Sequence, residues 1–198
     1  MARTQAPDYE QRREAIVEEA AKLYAARGFL GASLADLAKA CKTSKSLIYH
    51  YYASKEDILF DVMASHIAAL NAAVGDAEHE KGAPVDRLRK LAHAFMRLYV
   101  GAASRHKVLL NELGNLPPER RTEIVVRQRR LIEAVERLII DIQPGLKGPR
   151  RLARPAAMLF FGMINWTHTW YDPGGPVSPD AIADLAVDIM TGGLPNAM

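Results

Sequence analysis

The chain reads as an all-α protein: an N-terminal helix-turn-helix three-helix domain followed by a larger helical body, about nine helices in all. Three observations carry this reading. Apolar residues recur at spacings of three and four through most of the chain. No stretch alternates apolar and polar residues, and no Asn-Gly or Asp-Gly hairpin signal occurs. Proline and glycine fall where helices should begin and stop.

The spacing predicts a first helix over about Asp8 to Arg27, with Ile16, Ala20, Leu23 and Tyr24 on one face and Gly28 as its left-handed C-terminal cap. Phe29 then returns an aromatic ring to the core. Ser33 suits the N-cap of a short second helix, with Asp36 three residues on in capping-box spacing. That helix turns Leu34, Leu37, Ala38 and Cys41 inward. A turn at Lys42 and Thr43 leads to a third short helix, opened by Ser44, with Leu47, Ile48 and Tyr51 apolar. After a break at Ala53-Ser54-Lys55, a longer helix begins near Glu56.

The second half is expected to hold a helix after Pro84, a short one over Lys107 to Leu113, and one running from Pro118 to about Ile142. A basic loop with Arg150 and Arg151 precedes an apolar helix from Arg154 to about Trp170, and Ser178-Pro179 opens a last helix to about Met190. The division falls into residues 1–55, the helix-turn-helix, and residues 56–198, the body.

With 198 residues, 49% hydrophobic and 25% charged, the chain has the balance of a soluble globular protein with its own core. The lone Cys41 excludes an internal disulfide, and the polar start of the chain lacks the apolar run of a secretory leader; both suit the cytoplasm. The most apolar run, Ala156 to Ile164, is far short of the ~20 residues of a membrane span. A net charge of +3 and a pI of about 9.0 permit a polyanionic partner. At so low a charge, affinity for nucleic acid would have to come from a local patch.

That patch is legible. Two short helices joined by a tight turn and packed on a third form the pattern whose second helix enters the DNA major groove. On the helix opened by Ser44, Lys45, Ser46, Tyr49 and His50 fall on the outer face, while Ile48 and Tyr51 face inward. These outer side chains can donate to or accept from base edges and phosphates. Lys55, just beyond, is placed for a phosphate. The same residue types also suit a plain solvated face, and Tyr49 would equally pack on the first helix.

Residues Leu34 to Leu59 resemble the DNA-binding domain of the TetR family of bacterial regulators. The match runs through Ser44-Lys45, the small Ser46, the aliphatic Ile48, Tyr49, then His50, Tyr51 and Tyr52, and ends on Ser54-Lys55-Glu56. The family often has glycine where this chain has Lys42 and Ser46, and a small apolar residue where it has Thr43. The resemblance implies a palindromic double-stranded DNA operator as partner. It carries DNA contacts to Ser33, Lys42, Thr43, Ser44, Lys45, Ser46, Tyr49, His50 and Lys55. It implies a homodimer through the last two helices, and a body enclosing a small-molecule effector whose binding releases DNA.

The stretches Leu109 to Arg121 and Phe161 to Pro179 resemble a subgroup that responds to acyl- or aryl-coenzyme A thioesters. That implies an apolar slot and cations for phosphates. Candidates are Phe95, Tyr99, Leu109, Met163, Trp166 and Trp170 for the slot and Arg127, Arg130, Arg150, Arg151 and Arg154 for the phosphates; Asn165, polar within an apolar helix, needs a hydrogen-bond partner if buried, in the effector or equally in a dimer partner. Core packing and solvated helix faces would use the same residues. A regulator of drug or toxin efflux with a hydrophobic effector, a ligand binder with a vestigial head, and an architectural DNA binder stay open beside it.

Enzymatic readings find little support. Ser104-Arg105-His106-Lys107 has Ser-x-x-Lys spacing, but no companion motif of the serine acyl-transfer enzymes follows. The histidines at 50, 66, 79, 93, 106 and 168 show no metal-ligand spacing, so no metal and no cofactor are expected. No phosphate-binding glycine loop occurs.

Overall fold

The structure, a computed structural model, describes residues 7–148 and 151–193. Among these it has nine α-helices and no strand. They are α1 (Pro7–Arg27), α2 (Leu34–Ala40), α3 (Lys45–Tyr51), α4 (Lys55–His79), α5 (Pro84–Gly101), α6 (Ala103–Asn111), α7 (Pro118–Ile142), α8 (Ala153–Asn165) and α9 (Pro179–Gly193). Arg150, one of the expected phosphate partners, lies outside the described residues.

The helices group into two compact units that are not consecutive in sequence. The first combines the chain up to His66 with Ser104–Ile124; the second combines Ile67–Ala103 with the chain from Val125 onward. α4 and α7 each give one end to either unit.

In the first unit, Ile16, Ala20 and Tyr24 of α1 are buried, as their spacing requires. Gly28 ends α1 at φ 73°, its N–H bonded to the Tyr24 carbonyl at 2.9 Å. Gly31 serves a different end: a Cβ there would lie 2.4 Å from the Arg27 carbonyl oxygen, so only glycine fits the turn. Ser33 and Asp36 form the full capping box. A second capping pair, not foreseen, opens α4: the Asp57 N–H donates to Ser54 Oγ at 3.1 Å, and Ser54 Oγ donates to the Asp57 carboxylate at 2.9 Å.

α6 also belongs to this unit, and it begins four residues earlier than the sequence suggests, because only Ala102 interrupts the helical backbone after α5. That start places Arg105 and His106 on α6. Arg105 reaches Glu18 of α1 at 3.1 Å and Ser65 of α4 at 3.3 Å, and also pairs with Glu14. His106 Nδ1 lies 3.2 Å from Nε2 of His66 on α4, both rings buried.

In the second unit, Leu88, Leu91, Phe95 and Tyr99 of α5 are buried on one face. The facing side of α9 carries Asp180, Asp184 and Asp188. Arg89, His93 and Arg97, one turn apart on α5, meet them as a ladder: Arg89 to Asp184 at 3.0 Å and to Asp188 at 2.5 Å, His93 to Asp184 at 2.7 Å, and Arg97 Nε to Asp180 at 2.9 Å. These hydrogen bonds hold the Asp180 and Asp184 carboxyls below the usual carboxylate range.

α8 stops at Asn165 instead of running to Trp170. Thr167 and Thr169 donate back to the carbonyls three residues before them, at 2.6 and 2.8 Å, and His168 Nδ1 lies 2.7 Å from the Asn165 carbonyl oxygen. Such local bonds tighten Trp166–Thr169 into a 3-10 turn.

By length and composition α4 is long and apolar enough to cross a membrane. Its apolar residues instead serve the protein core: Ile58, Leu59, Val62, Met63, Ile67 and Leu70 are all buried.

Candidate nucleic-acid interface

The turn between α2 and α3 decides how α3 is presented. Lys42 sits at φ 50°, a left-handed backbone that costs a β-carbon residue energy. The Thr43 N–H bonds to the Ala38 carbonyl at 2.9 Å and the Lys42 N–H to the Lys39 carbonyl at 3.1 Å. This is the paired pattern that closes a helix around a left-handed residue, with lysine in the usual glycine position. Ser44 then caps α3 by accepting the Leu47 N–H at 3.2 Å.

α3 is anchored through Ile48, which is fully buried. The opposite face is open: Ser44, Lys45, Ser46, Tyr49 and His50 are exposed, with Tyr49 at 55%. Tyr49 therefore does not pack on α1. Tyr51 does, with its ring centroid 4.7 Å from that of Tyr9, and Tyr9 also lies edge-on to His50 at 6.4 Å. An exposed row of cations, Lys39, Lys42 and Lys45, follows the α2 end, the turn and the α3 start. Lys39 was absent from the sequence-based set, although its i, i+3, i+6 spacing with the other two lysines was there to see.

Two other residues of that set, Ser33 and Lys55, have partners within the protein. Ser33 spends its hydroxyl and its N–H on Asp36. Thr43 is half-buried. The Lys55 ammonium donates to the Phe29 carbonyl and stands 4.0 Å from the centroid of the Phe29 ring. It ties the start of α4 to the turn after α1. Cys41 is half-buried at the end of α2, and burial pushes its thiol up, away from the reactive thiolate.

A short N-capped helix with one buried anchor, an open polar and aromatic face and flanking lysines is built to enter a major groove. Residues 16–62 match the family model described as "Bacterial regulatory proteins, tetR family". Residues 81–194, more than half of the chain, match "Tetracyclin repressor-like, C-terminal domain".

The chain belongs to the TetR family.

It is thus a transcriptional regulator and not an enzyme. A TetR-family regulator from Bordetella parapertussis 12822 is 37% identical, with a TM-score of 0.88 over 94% of this chain and 97% of that one. AibR, solved in complex with isovaleryl coenzyme A and operator DNA, is 28% identical, with a TM-score of 0.79 over 90% of this chain and 97% of its own. The transcriptional repressor KstR2 of Mycobacterium tuberculosis is 25% identical over 191 residues, 92% of each chain.

In the TetR-family body, the expected effector residues are spread out. Phe95 and Tyr99 stack at 6.1 Å in the core of the second unit, and Phe161 lies 5.9 Å from Phe95. Burial alone drives the Tyr99 phenol far above its ordinary value. Leu109 is buried but belongs to the first unit. Met163 and Asn165 are half-buried, and the Asn165 Oδ1 atom is buried without a hydrogen-bond partner. Trp166 and Trp170 face outward, 65% and 56% exposed. Arg130 is exposed, and the carbonyl of Arg127 accepts from Asn71 Nδ2 at 3.3 Å. A hollow of about 680 Å³ opens elsewhere in the second unit, beside Arg151 and Arg154.

Proposed function

We propose that this TetR-family regulator is a dimeric repressor that reads a palindromic operator through α3 and leaves it when the body binds an acyl- or aryl-coenzyme A thioester. Residues 1–55 serve as the DNA-binding domain, residues 56–198 as the effector-binding and dimerisation domain, and the site of action is the bacterial cytoplasm. The open face of α3 carries the DNA part of the reading. Lys45, Ser46, Tyr49 and His50 are exposed there while the same helix is pinned from behind by Ile48. Lys42, Thr43 and Ser44 lie at its entrance for phosphates. Ser33 and Lys55 act by holding the frame.

Dimerisation is supported by an exposed apolar face on the last two helices. Met158 and Leu159 of α8, Trp166 and Trp170 after it, and Leu185 and Ile189 of α9 are each more than half exposed. Exposed apolar surface of this kind marks an interface where the residues form one patch. A second copy related by two-fold symmetry would cover it and set two heads on two half-sites.

The likeness to AibR, described in complex with isovaleryl coenzyme A and operator DNA, supports a thioester as effector. Phe95, Tyr99 and Met163 are its proposed apolar contacts and Asn165 a polar one, with Arg127 and Arg130 two of its phosphate contacts. Release then requires that the thioester bind the form that cannot hold DNA more tightly than the form that can.

The deciding experiment is fluorescence anisotropy on a labelled duplex from the DNA upstream of the gene, at two salt concentrations, followed by a panel of acyl- and aryl-coenzyme A thioesters. Tight, salt-dependent binding reversed by one thioester is the expected result. Lys45→Ala and Tyr49→Ala should each cost about 1–3 kcal/mol of DNA affinity. Binding that no thioester reverses would end the thioester assignment, and non-specific binding alone, with genome-wide site selection also failing, would end the repressor assignment.

A further inference from the structure

We infer that the groove between α7 and the start of α8 holds the phosphorylated nucleotide end of the coenzyme A thioester. This rests on the thioester reading above and assigns it a place within the second unit. The groove measures about 680 Å³. Its lining includes the apolar Ile140 and Leu146. It also includes Lys147, Arg151 and Arg154.

The charges do not balance within the groove. Glu136 is the one carboxylate among its lining residues, and it pairs with Arg154 at 3.3 Å. Lys147 and Arg151 have no carboxylate partner among the described residues. The backbone of Arg151 is also in the left-handed region, at φ 49°, with its N–H bonded to the Gly148 carbonyl at 2.9 Å. Glycine would adopt that conformation freely, so arginine is held there at a backbone cost.

The combination selects one kind of ligand. A bare inorganic anion would need the cations but not an apolar lining. A DNA backbone would need a long basic stripe, and this groove has three cationic side chains within eight residues of sequence. A purine ring lying on alkyl side chains, with phosphates reaching guanidinium and ammonium groups beside it, uses both parts. The 3′-phosphate and diphosphate of coenzyme A supply that charge next to an adenine.

The test is isothermal titration of the full-length protein with free coenzyme A and with 3′-dephospho-coenzyme A. The variant is Lys147→Ala with Arg151→Gly, which removes two charges and puts glycine where the backbone favours it. Its thermal midpoint reports that it folds. Wild type should prefer coenzyme A over the dephospho form, and the variant should bind coenzyme A about tenfold or more weakly and lose most of that preference. A folded variant that binds coenzyme A like wild type, with the preference intact, overturns the groove assignment. A thioester that releases DNA from wild type and variant at the same concentration leaves the proposed function standing and removes this site. If no thioester binds the wild type, both fall together.

Discussion

The ammonium of Lys55 donates to the backbone carbonyl of Phe29, 26 residues earlier, and rests 4.0 Å from the centroid of the same residue's ring. One side chain thus closes the loop between the end of α1 and the start of α4 that frames the DNA-reading pair. Lys55→Met keeps the alkyl stem and removes both interactions. It should lower stability by about 1–2 kcal/mol, read as a reduced urea midpoint. A midpoint equal to wild type, with DNA affinity reduced as much as in Lys45→Ala, would reassign Lys55 to a phosphate contact.

Lys42 presents the opposite balance. Its left-handed backbone is unfavourable for lysine, yet its charge sits at the entrance of α3. Lys42→Gly should raise stability by about 0.5–1 kcal/mol and at the same time weaken operator binding and reduce its salt slope by about one. Denaturant titration and anisotropy at several salt concentrations separate the two effects. Stability falling with the substitution would mean that the lysine side chain packs usefully in the turn.

The buried pair His66 and His106 predicts a pH dependence. Burial, and next the charge of Arg105, lower the His66 pKa to about 4, against about 6.5 for a histidine in an unfolded chain. Between these values the unfolded chain binds the proton and the folded one does not. Stability therefore declines as pH falls from about 6.5 toward 4, by about 2 kcal/mol between pH 7 and pH 5. His66→Gln should flatten that slope in urea titrations at the two pH values. An unchanged slope would place the titrating group elsewhere.

The apolar face of α8 and α9 should govern assembly. Leu159 is 69% and Ile189 57% exposed in the single chain, so Leu159→Glu with Ile189→Glu spares the buried core of the monomer. Sedimentation should show a monomer at micromolar concentration, with far-ultraviolet dichroism unchanged and operator affinity reduced to the non-specific level. A variant that still sediments as a dimer would show that another surface joins the subunits.

Periodicity and capping made most of the helices legible in the chain itself. Ser33 with Asp36, Gly28 and Ser44 stop and start helices by bonds to neighbours within four residues, so their effect follows from local sequence. The open side of α3 follows in the same way, because a buried Ile48 turns Lys45 and Tyr49 outward on a helix of fixed pitch. Where side chains compete locally, the reading slipped: Thr167 and Thr169 convert the expected end of α8 into a 3-10 turn.

What local sequence determined about this protein is therefore the set of helices, the capped reading helix and the family to which it belongs. Only the tertiary structure decided that His66 meets His106 across 40 residues, that α6 joins the first unit through Arg105, that Lys55 binds Phe29, and that Lys147, Arg151 and Arg154 share one groove. The physical reason is range. Helix and cap energies act between residues a turn apart, whereas burial, ion pairing and groove formation depend on which distant surfaces packing brings together.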